Sequence, residues 1–196
     1  LKSAIRAVKR EGATGIILDL RNNGGGLVFE AIGVASQFVP EGEPLYLYQE
    51  KTGDPRSVNA VPNGLWTDAP LVVLMNNNTA SSSEMTIGGI MAAKRGESIG
   101  EATYGTGTIL TPFDLSDGSG LNLGTAKWLL PDGSSAWHVG IQPDIPVSQP
   151  VDTELIVPGS NSDPITMDDL EASSDQQVKI AFNTITGTDT FPADSN

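Results

Sequence analysis

Two polar turns, each directly after an apolar run, hold the residues best suited to chemistry. The first is Asn22-Asn23-Gly24-Gly25-Gly26, which follows Ile16–Leu20. Consecutive glycines let backbone N–H groups converge on an anion or a developing oxyanion. The G-x-G-x-x-G spacing of dinucleotide sites is absent, and no Lys-Ser/Thr follows as in a phosphate loop. A purely structural bend is the competing reading. The second turn is Asn76-Asn77-Asn78-Thr79-Ala80-Ser81-Ser82-Ser83-Glu84, which follows Leu71–Met75. A serine at a strand-to-helix junction is placed for nucleophilic attack, with the helix N-terminus favouring negative charge. The same spacing, Ser81 to Glu84, also fits a capping box, so the three serines can divide capping and catalysis between them.

Helices and strands must position these turns. Leu1, Ala4, Ile5 and Val8 follow helical spacing, and Gly12 can end that helix. Ile16–Leu20 and Leu71–Met75 predict buried strands, and Leu45–Gln49 alternates weakly. Leu27–Phe38 and Ser81–Lys94 predict helices. This order gives an α/β class, mostly one layer of sheet with helical cover. From Ile99 to Val147 short runs (Gly107–Phe113, Leu121–Leu130, Ala136–Val139) alternate with turn residues. Asp117-Gly118 and Asp132-Gly133 suit β-hairpins, and the expectation is that these strands extend or cross the main sheet.

Composition removes several kinds of chemistry. The 196 residues include no Cys and one His, with 24 Asp+Glu against 11 Lys+Arg. No disulfide framework, thiolate metal site or cysteine nucleophile is possible, and a His-rich metal cage is excluded. No cofactor is implied. A net charge of -13 argues against nucleic acid as a partner. The acidity is concentrated late: residues 151–196 hold nine acidic residues and one basic. Residues 148–196 therefore read as an acidic C-terminal extension, solvated apart from one helix near Ser174–Ile185. No apolar stretch has the length of a membrane-spanning helix.

Taken together, the two turns and later segments resemble the carboxyl-terminal processing (tail-specific) serine peptidases. The matching pieces are Gly15–Gly26, Thr79–Glu84, Gly100–Gly107, Asp117–Ser119, Thr125–Lys127, Pro131–Gly133 and Gly140–Ile145, in the family's order. The resemblance covers about residues 1–147. It implies a crotonase/ClpP-like core of stacked β-sheet and helices, with additional β-hairpins in the C-terminal half. It also implies endoproteolysis of extended protein or peptide substrates in an extracytoplasmic setting, periplasmic, secreted or membrane-anchored. Members often carry a PDZ-like peptide-binding domain; no stretch here is long enough for one, so the expectation is the core alone. By the same resemblance the nucleophile falls on Ser81, and Gly25, Gly26 and Ser82 supply the oxyanion hole.

One departure reshapes the expectation. The family's general base is a lysine 25 residues after the serine, and that position is Thr106. The glutamine often found four residues further on is Leu110, and the aspartate some members place 11 residues after the serine is Ala92. A threonine cannot take the serine's proton as an amine can. Lys127 and His138 are candidates for a relocated base, with an exposed strand lysine and a structural edge histidine as the competing readings; Lys94 and Glu84 are weaker candidates. Two functions follow: a serine peptidase acting through Ser81 with a non-standard base, or a catalytically inactive homologue that binds extended peptides or serves as an interaction module.

Overall fold

The computed structural model describes residues 1–157 and 164–191. The chain begins α1 (Lys2–Arg10), β1 (Ile16–Asp19), α2 (Val28–Ala35), β2 (Pro44–Glu50), β3 (Arg56–Asn59) and β4 (Leu71–Met75). It continues α3 (Ser82–Ala92), β5 (Glu97–Gly100), β6 (Thr108–Asp114), β7 (Gly120–Leu129), β8 (Ile145–Pro146), α4 (Met167–Ala172) and α5 (Gln176–Thr186). Two four-stranded sheets result: a parallel one ordered β1-β4-β5-β8 and an antiparallel one ordered β3-β2-β7-β6.

The unbroken apolar run Leu71–Met75 is explained by its place. β4 lies inside the parallel sheet, and both its faces are covered, so all five residues are buried. Side chains alternate across a strand. Leu71, Val73 and Met75 join the larger core with Ala31, Ala35, Met85, Ile87 and Ile90 from α2 and α3. Val72 and Leu74 face the other way, toward Ile99 and Ala181 of α5.

α3 is the central layer. Every residue from Ser82 to Ile90 is buried, because one side meets the parallel sheet and the other meets the antiparallel sheet. Gly89 allows that second contact: a Cβ there would lie 2.8 Å from Leu45 Cδ2 and 3.0 Å from Leu45 Cα. The stacked arrangement of helices and sheets matches the expected α/β class.

Two expectations are corrected. β6 and β7 do not extend the main sheet; they pair with β2 and β3 in a separate one. The Asp117-Gly118 turn does join them, but Ala136–Val139 is not a strand. It turns, with His138 at φ 62°, so no second strand follows Asp132-Gly133.

The C-terminal segment is likewise more than a solvated extension. Leu170, Asp175, Gln177, Ala181 and Phe191 are buried. Asp175 caps α5 through Val178 N–H at 3.2 Å, and Gly187, in the left-handed region, ends it. Of the expected extension, residues 158–163 and 192–196 lie outside the described residues.

Candidate active site

The glycine turn and the serine turn leave adjacent strand ends, β1 and β4, and an amide cluster laces them together. Asn22 Oδ1 accepts from Asn76 Nδ2 at 2.9 Å and from Asn78 Nδ2 at 3.0 Å. Asn76 Oδ1 accepts the Asn22 and Asn78 backbone N–H groups at 2.9 and 3.1 Å. Thr79 Oγ1 donates to Leu20 C=O at 2.8 Å, and Ala80 N–H donates to Asn23 C=O at 3.0 Å. The residues beside the glycines and serines within these turns therefore set how close the turns come.

They come very close. A Cβ on Gly25 would sit 2.6 Å from Ala80 C=O, 2.8 Å from Ser81 Cβ and 2.8 Å from Ser82 N, and its φ is +89°. Only glycine fits on both counts. The Gly25 N–H donates to Asn23 Oδ1 at 3.0 Å. The N–H groups of Gly26 and Ser82 have no hydrogen-bond acceptor among the described residues. Gly25 thus supplies the close approach, and its neighbours supply free donors.

Ser81 itself is held at φ 58°, ψ -124°, a conformation that costs a non-glycine residue about 1–3 kcal/mol. Glu84 maintains it. This carboxylate is fully buried. Oε2 accepts from Ser81 N–H at 2.8 Å, Thr106 N–H at 2.9 Å and Thr106 Oγ1 at 2.7 Å. Oε1 accepts from Thr103 Oγ1 at 2.5 Å and Gly105 N–H at 2.8 Å. No cation among the described residues pairs with it; hydrogen bonds offset its desolvation, each charge-assisted contact contributing about 1.5–3 kcal/mol. Thr106 Oγ1 also accepts from Ser81 N–H at 3.0 Å. The threonine is therefore in the site, beside the serine.

The other two candidate bases make no such contact. Lys127 is exposed on β7, in register with Gln49 and Thr108. His138 is exposed, its ring edge-on to Trp137 with centroids 4.2 Å apart. Only its backbone approaches the site, through an N–H donated to Gly105 C=O at 3.0 Å. Neither side chain makes a hydrogen bond to Ser81. Lys94 lies beyond the far end of α3.

A second buried network backs the glycine turn. Arg21, its side chain 1% exposed, makes ion pairs with Asp19 at 2.7 Å and Asp175 at 2.9 Å, and donates to Gln177 Oε1 at 3.2 Å. Burial disfavours the guanidinium charge, but the hydrogen bonds to Asp19 and Asp175 outweigh it and leave the pKa raised. Thr103 and Asp175 carry no sequence signal of a role. Asn76 and Asn78 lie in the second candidate turn, whose composition marks the segment but not their lacing of the two turns.

With this geometry in place, the relatives are informative. The model of peptidase family S41 matches residues 1–147. The chain belongs to this family. It is 38% identical over 168 residues to the chloroplastic C-terminal processing peptidase of Tetradesmus obliquus, covering 83% of this chain and 36% of that protein. It is 36% identical over 185 residues to the carboxyl-terminal-processing protease of Synechocystis, covering 94% and 40%. Among solved structures, the photosystem II D1 C-terminal processing protease superposes with a TM-score of 0.69 at 38% identity, over 75% of this chain and 38% of that one. The chain thus spans well under half the length of these S41 relatives. Mature CPAF, at 12% identity and a TM-score of 0.68, shares only the fold, but over 96% of this chain. That likeness extends beyond the 147 residues of the family match.

Proposed function

We propose that this chain is the acyl-transfer core of a serine endopeptidase of the carboxyl-terminal processing type, working on extended protein or peptide chains outside the cytoplasm. Its stacked sheets and helices would be the crotonase/ClpP-type arrangement. The observation that carries the reading is Ser81, kept in a strained backbone conformation between Gly25, Glu84 and Thr106. Such strain is retained where the surrounding structure over-determines it, and it clusters at functional sites. Ser81 Oγ attacks the scissile carbonyl carbon, and the carbonyl oxygen takes the negative charge between Gly26 N–H and Ser82 N–H. The α3 N-terminus adds to that stabilisation. The amine leaves with a proton, and water hydrolyses the acyl-serine. The serine's proton goes to a group other than the family's lysine.

A second reading, a silent peptide-binding homologue, is favoured by one observation. Thr106 Oγ1 spends its proton on Glu84 and accepts from Ser81 N–H, so this position offers no base to the serine hydroxyl. One experiment separates the two. A fluorophosphonate probe labels Ser81 in the first reading, and the signal disappears in Ser81→Ala. General-base catalysis contributes about 10²–10⁴-fold, so Thr106→Lys is expected to speed labelling by up to that factor. No labelling of the unaltered chain, with strong labelling of Thr106→Lys, establishes the silent reading. No labelling of either overturns the assignment of Ser81 as a nucleophile.

A further inference from the structure

We propose that an extended peptide approaches Ser81 as an added strand on the open edge of β6, hydrogen-bonded to the backbone of Thr108 and Leu110. The inference rests on the peptide-binding part of the proposed function and specifies how that peptide is held.

β6 is the last strand of the antiparallel sheet, so one side of its backbone faces away from β7. The phase of that side can be fixed. Trp128 N–H donates to Gly107 C=O at 3.2 Å, so Gly107 faces β7. At the far end Leu115 N–H donates to Ser119 C=O at 2.8 Å, so Leu115 faces inward too. The register shift between Ile109 and Leu110 skips Thr125 on β7 and leaves the alternation of β6 intact. Antiparallel partners alternate between bonded and unbonded pairs. Thr108, Leu110, Pro112 and Asp114 therefore present their backbones to the open edge.

Pro112 then limits the edge. It has no N–H to give, and proline in that orientation is a common block against edge pairing. Only Thr108 and Leu110 are left as full pairing positions. They are also the part of the strand nearest the site, since Thr108 is two residues from Thr106. The edge is open where a substrate strand is useful and closed beyond.

An apolar footing adjoins this stretch. Trp137 lies against Gly107, where a Cβ would be 2.9 Å from Trp137 Cβ and 3.0 Å from Cε3, and the indole remains 49% exposed. Leu110 is 59% exposed. The occupant is therefore an extended segment with uncharged, apolar side chains near the serine. A second copy of the chain is a poorer fit. Edge-to-edge pairing of two β6 strands needs a longer run than Pro112 and Asp114 leave, and each copy carries a charge of -13.

The test uses the Ser81→Ala chain and a fluorescein-labelled octapeptide of alternating Val and Ala with a free carboxyl terminus, read by anisotropy. Leu110→Pro removes one outward N–H and is matched to Pro112, which the same edge already tolerates. It is expected to weaken binding about 3–10-fold relative to Leu110→Ala, the equivalent of one hydrogen bond. A series of peptides N-methylated at successive amides should lose affinity at every second position only. Should Leu110→Pro lower the melting temperature, the N-methyl series decides alone. Equal loss at all amides, no loss at any, or a dimer in sedimentation that Leu110→Pro dissolves would overturn the edge-strand proposal. Failure of the octapeptide to bind at all would instead overturn the peptide-binding reading beneath it.

Discussion

Ser81 and Thr106 meet through a single hydrogen bond, yet what stands behind each differs. Behind Ser81 are the asparagine lacing, a glycine approach that tolerates no side chain, and the Arg21 ion pairs reaching to α5. Behind Thr106 are Glu84, with no cation among the described residues, and two backbone contacts of its loop, Tyr104 N–H to Thr79 C=O at 2.9 Å and His138 N–H to Gly105 C=O at 3.0 Å; a strand then leads outward to an exposed hairpin. The first half of the site is specified by more contacts than the second. The two halves meet through the Ser81–Thr106 hydrogen bond, the shared Glu84 and the Tyr104 N–H donated to Thr79 C=O, so the serine turn is built largely without the Thr106 side chain.

The sharpest way to break this contrast is Glu84→Ala, which acts on both halves. It strands the N–H groups of Gly105 and Thr106 and the hydroxyls of Thr103 and Thr106, and is expected to lower stability by about 3–5 kcal/mol in urea unfolding. Gly25→Ala strikes only the serine half. The left-handed backbone and the contacts at 2.6–2.8 Å predict a loss of about 2–4 kcal/mol, with fluorophosphonate labelling falling alongside. Ser81→Gly runs the other way. Relief of φ 58° should raise stability by about 1 kcal/mol in the same measurement while abolishing labelling; unchanged or lower stability would mean that the serine turn is not strained. The smallest effect is a control away from the site. Asp132 accepts from Ser134 Oγ at 2.6 Å and from its N–H at 2.8 Å, which holds its carboxyl below the ordinary 3.8. Its small contribution is present above the unfolded-state value and is lost as pH falls through the folded one, so carbon-13 titration should find a depressed midpoint that Ser134→Ala raises part of the way, the backbone N–H bond remaining.

Much of the fold was legible because it is written locally. The apolar runs Leu71–Met75 and Ile16–Leu20, and the helices opening near Ser81 and Ser174, emerge close to where periodicity and caps place them. Which sheet a strand joins is not local: β6 and β7 pair with β2 through contacts distant in sequence, and the hairpin alone carries no record of that partner. The buried role of Asp175 was hidden for the same reason. Surrounded by acidic and polar residues, it reads as solvated, and only the fold brings Arg21 to it. At the site, the two turns were visible as composition and Thr106 as a departure from a motif. That Lys127 and His138 are exposed and not hydrogen-bonded to Ser81 needed coordinates, since each lies on a predicted element that sequence cannot orient.

The pairing of Arg21 with Asp175 has a consequence for where this molecule can be cut. The family model stops at residue 147, which suggests a boundary there, although the Synechocystis protease aligns over 94% of the chain. Cooperative folding puts it elsewhere. A chain ended at 147 would keep Arg21 buried with half its counter-charge gone and would uncover Val72, Leu74 and Ile99 on the face that α5 closes. Within these residues, the segment the family model matches and the segment that folds as a unit have different ends, and expression of the shorter one should yield aggregate rather than a smaller folded domain.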